Sequence, residues 1–335
     1  MPIEREYTAF INTLRNSEMD KLQPPFAPCK KALIQKLWGD FGRLERWFLD
    51  SECRQSVIAK WIELPDTLAH PRGWNTARST ERKLASYVIE ANWYLQFSKQ
   101  KDPRCLMPIG LDVDPDPANY VIVMSDLNDW GLTQVVKESS LVHWKLCLKW
   151  LANFHAKHLG CEETNLWEQG TYWHFDTRPD EWEAMPDSDL KQQASAIDEA
   201  LKHTPFPTLV HGDAKLANFC FSEDNTQVAA VDFQYVGHGC AMKDVMLFIS
   251  SCVPVDQAKD FEELLLDYYF SQFEEAILFY HPEQDAKQIT ESWRPFYYLA
   301  WADFLRFLEG WSPEHWKINK YSKACATKGL SYLAK

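Results

Sequence analysis

The stretch His211-Gly-Asp-Ala-Lys-Leu-Ala-Asn218, followed by Val231-Asp232-Phe233-Gln234, decides how this chain is read. Asp213 precedes Asn218 by five residues, so the two side chains can stand at opposite ends of one tight loop. Phe219-Cys-Phe221 reads as a short strand, Ser222-Glu-Asp-Asn-Thr226 as turn chemistry, and Val228-Ala-Ala-Val231 as a second apolar run. The expected hairpin is entered at Asn218 and left at Asp232, which brings both residues to one end. An amide oxygen and a carboxylate so paired suit a hard cation that keeps several oxygen ligands. Asp213 is then left to orient a hydroxyl group. Chance occurrence of the loop pattern alone is the bland alternative; the hairpin and the second Asp in register weigh against it.

Composition narrows the field. The chain has 335 residues, of which 25% are charged and 46% hydrophobic, an ordinary globular balance that allows one large domain or two moderate ones. A net charge of −13 argues against nucleic acid or another polyanion as partner. An anionic ligand must therefore be held by local Lys, backbone N–H groups and metal. Nine cysteines, with no C-x-x-C pair, fit reduced thiols in a cytoplasmic protein, most of them buried. Ten histidines are scattered; His155 and His158 lie three apart with no third ligand, which argues against a zinc site. Met1-Pro-Ile-Glu-Arg-Glu lacks a basic region followed by an apolar one, and no apolar run approaches membrane-spanning length. No nucleic acid, membrane or obligate protein partner is expected.

Along the chain, strands are expected at 32–38, 44–49 and 56–62, then a helix over 80–96 with Leu84, Tyr87, Val88, Ala91 and Leu95 on one face. Two further strands, 105–111 and 120–124, flank a Pro-rich turn. Helix dominates beyond Asp129-Trp-Gly131, starting with a stripe over Leu141, Trp144, Leu148, Leu151 and His155 capped by Ser139 or Ser140. Residues 160–187 read as irregular, and helices return from Met242. Trp293, Tyr297 and Trp301, spaced by four, read as a core stripe rather than a ligand cage. The expectation is an α+β chain of two lobes. A small antiparallel β-sheet lobe with one helix spans 1–126, and a larger, mainly α lobe carrying the hairpin spans 127–335.

These residues resemble the protein-kinase-like small-molecule phosphotransferases, closest to the ecdysteroid-kinase-like and choline-kinase-like group, with aminoglycoside phosphotransferases further off. The matches are His211-Gly-Asp213, Asn218-Phe219, Val231-Asp-Phe-Gln234 and Asp244 at a helix start. The resemblance implies ATP and Mg²⁺ as cofactors, Asn218 and Asp232 as metal ligands, and Asp213 as the catalytic base. It implies Lys60 on the α- and β-phosphates, oriented by Glu90, and a hinge at Met124-Ser125 offering backbone groups to adenine. Ser125 stands where the group usually has Glu. The phosphate-covering turn can only be Trp38-Gly39-Asp-Phe-Gly42, which departs from G-x-G-x-x-G. Lys215 either faces the transferred phosphoryl group or solvent, and His211 reads as an organiser of the loop.

The expected activity is transfer of the γ-phosphoryl group of ATP to a hydroxyl of a small-molecule alcohol. About ten residues separate Asp232 from the next helix, too few for the activation segment and peptide platform of a protein kinase. The alternatives are a catalytically silent nucleotide-binding or regulatory protein on the same fold, and a metal-dependent hydrolase.

Overall fold

The computed structural model describes residues 28–63, 73–74, 76–114 and 120–333. The N-terminal Met1-Glu6 stretch and most of the Pro-rich turn after Asp114 lie outside these residues. The chain forms two compact units, one running to Lys101 and taking in Met107–Gly131, the other holding Asp102–Leu106 and Leu132–Lys335.

In the first unit, five short strand-forming runs make one five-stranded sheet. Its strands are β1 (Lys30–Lys36), β2 (Gly42–Phe48), β3 (Ser56–Ile62), β4 (Gly110–Asp114) and β5 (Tyr120–Ser125). The order is β1-β2-β3-β5-β4, antiparallel throughout. β1 is an exposed edge studded with Lys30, Lys31 and Lys36, charges that discourage pairing with a further strand. Trp47, Val57, Ala59, Val121 and Val123 pack together on one face. Lys60 falls between Ala59 and Trp61 in a period-two strand, so its side chain leaves from the opposite face. That face meets α1 (Ala77–Gln96), capped by Thr76, whose Oγ1 accepts from Ser79 N at 3.1 Å. The buried stripe of α1 runs through Leu84, Tyr87, Glu90, Ala91 and Tyr94 with Trp93, rather than through Val88 and Leu95. Burying each large apolar side chain here contributes about 2 kcal/mol.

The apolar run Cys105–Leu111 does not form one strand. Pro108 sits in its middle and cannot donate to a ladder. Leu106 bridges Ala229 in the second unit, while Gly110 enters β4 in the first. Gly110 has no room for a side chain, because a Cβ would stand 2.1 Å from Tyr94 O.

The second unit is mainly helical. α2 (Leu141–Lys157) begins after Ser140, whose N–H donates to His143 Nδ1 at 3.1 Å, and packs along α5 (Ala258–Tyr280). Between them in sequence come single turns at Phe175–Thr177, Pro179–Glu183 and Asp189–Gln192, then α3 (Ala194–Lys202). Two short two-stranded pairings follow from β6 (Thr208–Val210), β7 (Phe219–Phe221), β8 (Val228–Ala230) and β9 (Gly237–Gly239), β6 with β9 and β7 with β8, and a single bridge sets Gln134 against Phe221. The helices α4 (Met242–Cys252), α6 (Ala286–Trp293), α7 (Phe296–Trp311) and α8 (Lys320–Leu333) complete the unit, with α7 packed on α8, α4 and α3. Trp293, Tyr297 and Trp301 are all buried, as a core stripe should be. They do not share a helix, because Pro295 ends α6 and starts α7. Among the nine cysteines no disulfide forms; Cys105, Cys147, Cys240 and Cys325 are buried, whereas Cys29 and Cys53 are exposed. No helix among the described residues is long and apolar enough to cross a membrane.

Candidate active site

The loop from His211 to Asn218 joins β6 to β7, and its conformation is set by groups distant in sequence. Gly212 has φ +80, and a Cβ there would meet Tyr235 O at 2.0 Å, so only glycine fits. Asp244, in the first turn of α4 and fully buried, accepts from His211 N at 2.5 Å and from Gly212 N at 3.0 Å. A carboxylate at a helix start is favoured by the helix dipole, and here it also satisfies two loop N–H groups. His155 of α2 adds a third donor, with Nε2 3.2 Å from Asp244 Oδ2, and its Nδ1 is 2.8 Å from the Tyr269 hydroxyl. Three helices therefore hold the loop through one carboxylate.

His211 uses both ring nitrogens inside the loop. Val231 O can only accept, so Nε2 donates to it at 3.0 Å, and Nδ1 accepts from Asp213 N at 3.3 Å. The ring also lies 4.7 Å, centroid to centroid, from Phe233. His211 is thus a positioning residue that ties the loop to the segment leading into Asp232.

Asp213 is buried, and its two oxygens have different fates. Oδ2 accepts from Lys215 Nζ at 2.6 Å and from Asn218 Nδ2 at 3.1 Å. Oδ1 is buried with no hydrogen-bond partner. An unsatisfied buried carboxylate oxygen costs on the order of 1–3 kcal/mol unless something arrives to bond it. Lys215 is neither solely a solvent lysine nor free. Burial opposes its charge, the Asp213 and Asp232 carboxylates outweigh that, and its pKa stands above the usual lysine value.

Asn218 donates Nδ2 to the Asp213 backbone carbonyl at 2.9 Å as well. Committing the amide nitrogen to Asp213 turns the amide oxygen the other way. Phe219 pairs with Ala230 and Val231 N donates to Asn218 O at 3.0 Å, so the hairpin register sets Asn218 opposite Val231, next to Asp232. Asp232 has φ 69, an uncommon conformation for a residue with a Cβ. Phe233, wholly buried against Phe154 and the His211 ring, holds the chain in it. Strain kept in place by surrounding packing is characteristic of working sites.

In the first unit, Lys60 Nζ donates to Glu90 Oε2 at 2.6 Å, with both side chains almost fully buried. Glu90 rather than Glu81 is thus the helix partner. The Trp38–Asp40 turn between β1 and β2 is short. Gly39 has φ 70, and Gly42, with φ +119, would place a Cβ 2.0 Å from Trp61 O. Gly42 is therefore required by the β2–β3 pairing itself. Asp40 is exposed and lies 3.8 Å from Lys36. Met124 is buried in β5 opposite Ile58. Ser125 is committed at the sheet margin, where its N–H donates to Ile109 O and its hydroxyl accepts from Ile109 N, both at 2.9 Å.

Two contributors near Asp213 have no sequence signature. Ser251 Oγ accepts from Leu216 N at 2.9 Å, steadying the loop from the end of α4. Lys317, just before α8, donates to Ser250 Oγ at 2.9 Å and stands over the Phe304 ring. Burial pushes its pKa down to about 8 against the pull of the Asp213 carboxylate.

Residues 174–279, which contain the loop, the hairpin and Asp244, match the model of the ecdysteroid kinase-like family. No curated protein matches the chain. Among solved structures, an amicoumacin kinase determined with AMP-PNP and Ca²⁺ is similar over 98% of this chain and 96% of its own, with a TM-score of 0.51 and 12% identity. Choline kinase LicA from Streptococcus pneumoniae is similar over 100% and 99%, with a TM-score of 0.46 and 12% identity. An ethanolamine kinase from Plasmodium vivax is similar over 91% and 82%, with a TM-score of 0.47 and 13% identity. The likeness to the amicoumacin kinase is one of fold.

Proposed function

We propose that this chain transfers the γ-phosphoryl group of ATP to a hydroxyl of a small molecule in the cytoplasm, with Asp213 as the catalytic base. The observation that carries the reading is the buried Oδ1 of Asp213, left without a partner while Oδ2 is held by Lys215 and Asn218. A substrate hydroxyl is the group that would complete it. Asp213 accepts that hydroxyl's hydrogen bond and takes its proton as the oxygen attacks the γ-phosphorus and the bond from phosphorus to the bridging oxygen breaks, releasing ADP. Lys215 keeps the carboxylate in place and offsets charge developing on the phosphoryl oxygens.

Asn218 and Asp232 are the assigned Mg²⁺ ligands. The outward amide oxygen of Asn218 and the strained backbone of Asp232 support the assignment. A Mg²⁺ held by Asn218 and Asp232 would offset charge on the phosphates. Lys60, oriented by Glu90, is assigned to the α- and β-phosphates; a buried ion pair is weak as a source of stability and is better explained by a ligand. Backbone groups around Met124 and Ser125 are assigned to adenine and the Gly39–Gly42 turn to phosphate cover. A small-molecule acceptor is favoured because the segment after Asp232 is taken up at once by β9 pairing with β6.

The test is ATP consumption and product phosphorylation measured against a panel of alcohols, beside a thermal-shift titration with Mg-ATP. Asp213→Ala should lower turnover by roughly 10²–10⁴ with nucleotide affinity nearly unchanged, the scale of a lost general base. Asp232→Ala should weaken Mg-nucleotide binding itself. A near-normal rate in Asp213→Ala removes it from the role. Nucleotide binding with no turnover across the panel favours the silent protein, and phosphate release with no phosphorylated product favours the hydrolase.

A further inference from the structure

The second unit holds another group of ligating side chains, apart from the residues assigned to catalysis. His174 precedes the single turn Phe175–Thr177, Asp176 lies within that turn, and Asp198 lies on α3. His174 Nε2 is 3.7 Å from Asp198 Oδ1 and 3.8 Å from Asp176 Oδ2, and the three ligand atoms all lie within 4.8 Å of one another. These separations are too long for hydrogen bonds. They suit a central ion bonded at about 2.0–2.2 Å to nitrogen and carboxylate oxygen, after a contraction of a few tenths of an ångström.

His174 supplies the second, independent observation. It is 6% exposed, and its Nε2 is buried without a partner. A buried ring nitrogen aimed at two carboxylates, yet bonding neither, is an unfilled valence in the interior. Asp198 is also buried, and its one ion pair among the described residues is with this ring. The neighbouring cations do not fill the gap, since Asp303 already engages Lys243 at 3.1 Å and Arg306 at 2.7 Å.

We propose that His174, Asp176 and Asp198 bind one divalent transition-metal ion of the Zn²⁺ class, which pins the loop around Phe175 to α3. An imidazole favours such ions over Mg²⁺ or Ca²⁺, and two carboxylates complete a three-ligand set with an open position. The loop so pinned leads back to the catalytic segment, since Thr171 N donates to Tyr235 O at 3.1 Å and Tyr172 N to Gly212 O at 3.3 Å. The site is illegible in sequence because a turn and a helix bring its residues together; the only paired histidines that spacing offers, His155 and His158, take no part.

The experiment titrates chelator-stripped full-length protein with Co²⁺, read by visible absorption, and with Zn²⁺, read by melting temperature. Wild type should take up one equivalent of Co²⁺ without a thiolate charge-transfer band, and Zn²⁺ at roughly 100 times its Kd should raise the melting temperature by about 5 °C. Asp176→Asn, at an exposed position that leaves the core intact, should weaken binding by at least about tenfold. His174→Gln should abolish it, and Asp232→Ala should leave it unchanged. The proposal is overturned by absence of stoichiometric uptake in wild type, by a thiolate band, by undiminished affinity in Asp176→Asn, or by loss of binding in Asp232→Ala.

Discussion

Two connections in this molecule look alike in sequence and differ in structure. The Trp38–Gly42 turn and the His211–Asn218 loop are both short links between strands, each with glycine and aspartate. The first is held by its own backbone: Leu37 N donates to Gly42 O and Asp40 N to Leu37 O. Its one acidic side chain, Asp40, faces solvent. The second is held by side chains from α2, α4 and α5 converging through Asp244. It keeps a buried carboxylate oxygen unsatisfied. A turn that serves only the strands can be secured locally. A loop that must keep a buried acceptor oxygen unsatisfied needs supports from outside itself, because its own residues prefer conformations that satisfy it.

The sharpest way to break this contrast is Asp244→Ala. It strips the acceptor from His211 N, Gly212 N and His155 Nε2 together, and should cost about 3–5 kcal/mol, read as a lower urea midpoint. A loss below 1 kcal/mol would show that the loop is as self-sufficient as the turn. Gly42→Ala comes next. The left-handed φ and the approach to Trp61 O should cost roughly 2 kcal/mol while leaving the second unit's fold undisturbed, a result checked by amide exchange in β2 and β3.

Lys317 tests the buried charge environment of the second unit. Its folded pKa of about 8 lies below the ordinary 10.5, so between those values the unfolded chain binds more protons. Stability therefore rises with pH across that window, by about 1.4 kcal/mol per unit at most, whereas below pH 8 the slope vanishes and the charged lysine carries its full burial penalty. Lys317→Met should flatten this rise relative to wild type in urea midpoints measured from pH 7 to 10. An identical slope in the variant would place the titration elsewhere. The smallest effect belongs to Asp40→Ala, which removes only an exposed pair with Lys36 and should change stability by no more than about 0.5 kcal/mol.

Much of this molecule was legible because its signals are local. β3 lies at Ser56–Ile62 as its β-branched, largely apolar run suggests, and the period of two in a strand sends Lys60 to the face opposite Ala59 and Trp61. The hairpin Phe219–Phe221 with Val228–Ala230 follows from its turn residues. Errors arose where one apolar run served two masters. Cys105–Leu111 has the composition of a strand, but Pro108 splits it between units, and composition carries no information about which neighbour each half meets. The stripe Trp293–Tyr297–Trp301 was read as core and is core, although Pro295 divides it between two helices.

The candidate site divides along the same line. The order Asp213, Asn218, Asp232 and the strand position of Lys60 are properties of the chain itself, since spacing and period dictate which side chains can share a loop end or a sheet face. The pairing of Lys60 with Glu90, the free oxygen of Asp213, the grip of Asp244 and His155, and the gathering of His174 with Asp198 belong to the tertiary structure alone. Each is a contact between segments whose separation along the chain says nothing about distance, and each is decided by which buried polar group finds a partner once the helices have packed.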